Sequence, residues 1–137
     1  MKQFSIIVKK DLYIGDLCYA LNDDIYYGIW GAKHFEDGAY KTEKGLEFAM
    51  VGTAYGDGCY SGSDGYVYPV DAGNIGICDA ELVEKDISDL GRIIRNVPGE
   101  VTITYDNGTI SVEVVALDDT LVIPTGDEEE YEEDEVN

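Results

Sequence analysis

No stretch of this chain holds the ~18 consecutive apolar residues of a membrane-spanning helix. The N-terminal apolar patch runs only from Phe4 to Val8 before Lys9 and Lys10, which is shorter than a signal peptide requires. The expectation is therefore an intracellular, cytoplasmic protein. Histidine is almost missing, with His34 the single example. Nucleophilic catalysis needs a nucleophile beside a positioned base, most often His, and no Gly-x-Ser-x-Gly elbow occurs. Cys18, Cys59 or Cys78 would have to meet His34 through folding alone, so they read as small buried hydrophobes and His34 as a surface residue. The cysteines are odd in number and lie 41 and 19 residues apart. That spacing supports no disulfide framework, and it lacks the close pair of a structural zinc site. The glycines Gly52, Gly56 and Gly58 are followed by no Lys-Ser or Lys-Thr, which excludes a P-loop or dinucleotide fingerprint.

Positive charge is also scarce. The chain has 9 Lys and Arg against 29 Asp and Glu, for a net charge of −20. Such a field repels nucleic acid, whose phosphates need Lys and Arg to displace their counterions. It repels anionic membrane surfaces for the same reason. It favours a basic protein as partner, including the basic clefts of proteins that themselves bind nucleic acid. Acidity also has a plainer use in keeping a protein soluble. Eight of the acids fall in residues 127–137, DEEEYEEDEVN, which contain no base. This tail is expected to be disordered when free. Its Glu128, Glu129 and Glu130 are candidate contacts for a basic partner. The remaining 126 residues still carry −12, and they read as one β-rich domain, 1–126.

What is present in quantity is short β-type segments and glycine. Apolar residues make up 45% of the chain, enough for a core. Strands are expected near 3–9 and 12–15, at 46–54, across 66–70 and 74–78, and at 90–97 and 121–123. The clearest hairpin joins 101–105 to 109–114 through Asp106-Asn107-Gly108, since Asn-Gly favours a tight two-residue turn. A second hairpin is expected around Asp64-Gly65. One helix is predicted near 22–31: Asn22 caps it, Asp23 and Asp24 suit its positive end, and Gly31 would stop it. The pattern predicts a mainly β (α+β) fold, a small antiparallel sandwich or barrel with one short helix.

Candidate chemistry concentrates between Tyr55 and Ile77, where Gly, Asp and Tyr are dense. Gly56-Asp57-Gly58-Cys59-Tyr60 echoes Gly15-Asp16-Leu17-Cys18-Tyr19. Asp16, Asp57 and Asp71 sit on glycine-rich loops and are the candidate ligands for calcium or magnesium, although no EF-hand pattern is present. Two such acids would alternatively form a hydrolytic pair, or all three simply cap turns. Tyr55, Tyr60, Tyr66 and Tyr68 are candidates for a protein-contact surface, because tyrosine gives large contact area at low entropic cost. They serve equally well as strand residues half in a core.

Three blocks also carry a resemblance: Tyr13-Ile14-Gly15-Asp16-Leu17-Cys18-Tyr19, Tyr55-Gly56-Asp57-Gly58-Cys59-Tyr60 and Val70-Asp71-Ala72-Gly73-Asn74-Ile75-Gly76-Ile77. Residues 12–80 resemble a family of small β-rich bacterial and phage proteins with Y-I-G-D-P-C-Y, G-D-G-x-Y and V-D-x-G-x-I-G blocks in this order. Leu17 departs from that pattern, which has proline there. The resemblance implies no activity and no catalytic residue. It implies a phage or mobile-element origin, where small acidic proteins often inhibit host defence enzymes, some by mimicking the charge of DNA. The expected function is thus a non-enzymatic acidic binding protein of this inhibitor kind. The alternatives are a divalent-metal-binding domain or metal-dependent enzyme using the loop aspartates, and a structural or solubilising module.

Overall fold

Alternation of apolar and polar residues along the first strand sets the architecture. In β1 (Lys2–Val8) Ile6 and Val8 are buried while Ser5 and Ile7 face out. In this computed structural model, which describes residues 1–126, β1 pairs antiparallel with β9 (Gly99–Asp106). β9 turns into β10 (Thr109–Val114), and β11 (Asp119–Pro124) completes a sheet ordered β1-β9-β10-β11. Asn107 and Gly108 both take positive φ, 49° and 86°, at the predicted Asn-Gly turn. That turn type matches the right-handed twist of its two strands.

The second sheet is ordered β3-β4-β7-β2-β8, from β3 (Gly38–Lys41), β4 (Glu47–Gly52), β7 (Asn74–Asp79), β2 (Leu12–Gly15) and β8 (Arg92–Ile94). The third is a two-stranded ribbon of β5 (Gly58–Ser61) and β6 (Val67–Val70). Every pairing is antiparallel, and no sheet closes on itself. Of the two expected forms, the chain adopts packed sheets and not a barrel.

The second sheet is buried on both faces. Ile14, Ala49, Val51, Ile75 and Ile77 point to the first sheet and pack with Val101, Ile103, Ile110 and Val112. Tyr13, Phe48, Met50 and Cys78 point the other way, against Leu17, Leu21, Trp30 and Leu82. Each large apolar side chain so enclosed stabilises by about 1.5–3 kcal/mol relative to exposure. Two buried faces explain why β2 and β7 lack period-two polarity in the sequence. Gly76 lies at the centre of β7. A Cβ there would stand 2.6 Å from both the Ala49 carbonyl oxygen and Leu17 Cγ, so Leu17 fills the space a side chain would need.

The cover on that second face is the helix. α1 (Asp23–Ile25) runs into a π-helical turn, Tyr26–Trp30, and then a 3-10 turn, Gly31–Lys33. Asn22 caps it as predicted, its Oδ1 accepting from Ile25 N at 2.9 Å. Gly31 does not end it. The wide turn carries the chain on to His34 and Phe35, both left-handed at φ 59° and 56°, and these two residues stop the helix. The strand expected at 90–97 shortens to β8, because Gly91 (φ 155°) and Asn96 (φ 59°) break it at each end. The acidic tail 127–137, with its Glu128, Glu129 and Glu130, lies outside the described residues.

Candidate functional site

The chain's conspicuous loops meet at Asp16. It follows β2 directly and is fully buried. Its Oδ2 accepts from the amides of Asp71 and Ala72 at 2.8 and 2.7 Å. Its Oδ1 accepts from Cys18 N at 2.9 Å and from Asn74 Nδ2 at 3.2 Å. Asn74 Oδ1 in turn accepts from Leu17 N at 3.3 Å. A buried carboxylate is tolerable when its lone pairs are met in this way. Asp16 therefore joins the Gly15–Tyr19 turn to the 71–74 loop, which brings the first and third of the sequence blocks side by side.

That role leaves the carboxylate no free lone pair for a cation. The side chains of Asp57 and Asp71 are exposed, and only the main-chain amide of Asp71 reaches Asp16. Among the described residues no three His, Cys, Asp or Glu side chains converge as metal ligands. Two of the three thiols are equally quiet, while Cys59 is exposed and so is not the small buried hydrophobe expected of it. Burial, with Asp16 adding to it, pushes Cys18 up to about 12, and burial then Asp79 raises Cys78. Both are neutral thiols near neutral pH, and a neutral thiol is a poor nucleophile.

Other aspartates work in the same structural way. Asp79 Oδ2 accepts from Lys9 N at 2.9 Å and its Oδ1 from Glu81 N at 3.0 Å. Asp37 accepts from Gly52 N at 3.1 Å and from Lys2 Nζ at 2.8 Å. Asp64 Oδ2 accepts from Tyr68 Oη at 2.5 Å and from Arg92 at 2.7 Å. Its Oδ1 takes the Tyr66 amide at 3.1 Å. Arg92 also lies over the Tyr66 ring, 5.1 Å from its centroid.

The four tyrosines separate by position. Tyr68 is fully buried, because residues 68 and 70 of β6 face the core, so it is no contact residue. Tyr60 is half-buried and donates to the Gly56 carbonyl at 2.8 Å. Tyr55 and Tyr66 are each about half exposed. A different aromatic group was not foreseen: Tyr26, Tyr27, Trp30 and Phe35 pack with centroids 5.0 to 6.1 Å apart, edge-on except for the tilted Tyr26–Phe35 pair. Tyr27 and Phe35 are its exposed members. The left-handed backbone at Phe35 carries its ring back over Gly31, whose Cβ would lie 3.1 Å from it.

The structure also shows a duplication. The hairpin β3–β4 and the hairpin β5–β6 are the same unit 20 residues apart, each reading Asp-Gly-x-Tyr-x4-Gly. Gly38 pairs Met50 and Tyr40 pairs Phe48; Gly58 pairs Val70 and Tyr60 pairs Tyr68. Their turns match, with Thr42 N to Leu46 O and Gly62 N to Tyr66 O both at 2.8 Å. Each tyrosine donates four residues back, Tyr40 to Glu36 O at 2.6 Å and Tyr60 to Gly56 O at 2.8 Å. The repeated Asp-Gly-x-Tyr spacing was the available signal. Asp57 thus corresponds to Asp37, whose carboxylate holds the last amide of β4 and Lys2, and not to the buried Asp16 that it echoes in sequence.

Comparison with protein-family models, with curated proteins and with solved structures gives no match. Among the described residues no helix is long and apolar enough to cross a membrane. What remains open on the surface is carboxylate. Residues 1–126 carry 21 of the acids and all nine bases. Four of those bases, Lys2, Lys85, Arg92 and Arg95, are already held by acids.

Proposed function

We propose that this chain is a non-enzymatic, cytoplasmic binding protein whose acidic surface engages a basic face of another protein. The observation that carries it is the surplus of surface carboxylate over cation, in a fold whose buried acids are all occupied by main-chain and side-chain donors. An uncompensated anionic surface draws a basic partner by long-range attraction and excludes nucleic acid and anionic lipid. The partner class that best fits is a nucleic-acid-binding protein, whose own cleft is cationic. Occupying that cleft makes the chain an inhibitor by charge mimicry, in line with its resemblance to small phage proteins. The test is competition. The full chain is added to a basic DNA-binding protein holding labelled duplex, at salt from about 0.05 M to about 0.5 M, across which the screening length falls below ~10 Å. Displacement at low salt that fades at high salt is expected. Displacement indifferent to salt, or none against a panel of basic proteins, would sink the proposal.

A further inference from the structure

Between the helix and the β3–β4 hairpin runs an open groove of about 560 Å³. Its floor is apolar, made by Ile25 and Ile29 of the helix with Leu46 and Leu82. Its rim is anionic: among the described residues Asp24, Glu43, Glu81 and Glu84 line it against one cation, Lys44. Asn22 Nδ2 donates to Glu84 Oε2 at 2.8 Å and holds that carboxylate in place. The groove also contains a glycine that the fold does not need. Gly28 is exposed and lines it, its φ is not in the left-handed region, and a Cβ built on it meets nothing within 4 Å. Most other glycines here are enforced by a turn or by a packed neighbour, as Gly76 is by Leu17; Gly52, whose nearest neighbours lie at 3.7 and 3.9 Å, is the other exception. Among the described residues nothing enforces Gly28, and glycine is a poor choice inside a helix. The absent side chain leaves the groove open at this point.

We propose that this groove is where the basic partner docks. It takes a lysine- or arginine-bearing segment whose alkyl stems lie on Ile25, Ile29, Leu46 and Leu82. The cationic heads reach the four carboxylates, and the partner backbone passes over Gly28. Lysine and arginine are the side chains that combine an apolar stem with a charged tip, which is the combination this groove offers to match. The inference rests on the acidic-binding reading and adds its location.

The experiment is an amide-resolved NMR titration of the full chain with a synthetic decapeptide alternating arginine and alanine. Shifts are expected at Gly28, Ile29, Leu46 and Leu82. Gly28→Leu should weaken the affinity about tenfold, the equivalent of ~1.4 kcal/mol, without lowering the thermal midpoint. Should that variant unfold, Glu43→Gln with Glu84→Gln replaces it, against Glu100→Gln with Glu113→Gln on the first sheet as a control of equal charge. Loss of affinity in the groove pair and not in the control supports the proposal. Shifts confined to other surfaces, the acidic tail included, or equal losses in both pairs, would overturn the groove and leave the acidic-binding reading standing. An absence of shifts anywhere would overturn both.

Discussion

Replacing Asp16 by Asn is the sharpest test of how these loops are held. The side chain keeps its shape and loses its charge and one acceptor. In either orientation of the amide, one oxygen retains its pair of donors and an NH2 group faces the other pair. Those pairs are the Asp71 and Ala72 amides, or the Cys18 amide and Asn74 Nδ2. Two donors then lose their acceptor at roughly 1–3 kcal/mol each. The surviving bonds also lose their charge assistance, which about doubles the strength of such a bond. Set against this, a carboxylate no longer has to be desolvated, which returns several kcal/mol. Taking each lost donor at about 2 kcal/mol, the lost charge assistance at about 2 and the desolvation returned at about 3 leaves a loss of about 3 kcal/mol, a large part of the ~5–15 kcal/mol that holds a domain folded. In a chain of this length that lowers the thermal midpoint by roughly 10–15 °C. Circular dichroism melts and urea titrations of the two proteins measure it. A variant within about 1 kcal/mol of the parent would refute the reasoning, since it would mean that the donors are satisfied without the carboxylate.

The remaining predictions concern single positions and bulk charge. Gly76→Ala should cost at least ~2 kcal/mol in urea unfolding, because its Cβ would meet the Ala49 carbonyl and Leu17 at 2.6 Å. Gly28→Ala should do the reverse and stabilise by up to ~1 kcal/mol, as its Cβ enters open space in a helix. Burial raises the Asp64 carboxyl, but the Tyr68 hydroxyl, the Tyr66 amide and Arg92 together hold it below its usual 3.8. A carboxyl depressed on folding stabilises above its unfolded value and loses that contribution as pH falls through its folded value. Asp64→Asn should therefore destabilise at neutral pH and flatten the acid limb of stability below about pH 4. Raising salt from ~0.01 M to ~0.3 M should raise the melting temperature of the wild-type chain by screening its self-repulsion, and a fall would contradict this.

Local chemistry was legible and long-range pairing was not. The β9–β10 hairpin could be read because Asn107-Gly108 and two alternating arms all lie within 14 residues. The Asn22 cap could be read because donor and acceptor are three residues apart. The work of Asp16 could not, because two of its donors are main-chain amides 55 and 56 residues away, and any residue type supplies an amide. Asp16 and Asp57 share their neighbours in sequence, yet one is buried and the other exposed. The echo between them drew attention from the weaker Asp-Gly-x-Tyr spacing, which is the one that marks a repeated structure. Tyr66 and Tyr68 looked alike for a related reason. Tyr68 lies in β6 and faces the core, whereas Tyr66 lies in the turn before it and stays out under Arg92. The groove beside Gly28 was beyond sequence reading because segments near 22–29, 42–46 and 81–84 build it jointly.

The acids of this chain divide by what they answer to, and that division bears on function. Asp16, Asp79, Asp37 and Asp64 accept from donors fixed by the fold, so their charge is spent on architecture. A protein that needed carboxylate only for solubility could scatter the remainder evenly and interleave it with bases. Here the helix side gathers Asp24, Glu43, Glu81 and Glu84 around apolar floor residues and leaves Lys44 alone among them. Like charges brought together repel, and although Asp24 suits the positive end of the helix and Glu84 accepts from Asn22, neither role calls for Glu43 and Glu81 beside them. Gly28 beside them is likewise a glycine that no contact among the described residues demands. Two independent local costs, one electrostatic and one conformational, fall on the same groove, and a cationic partner seated there would offset both.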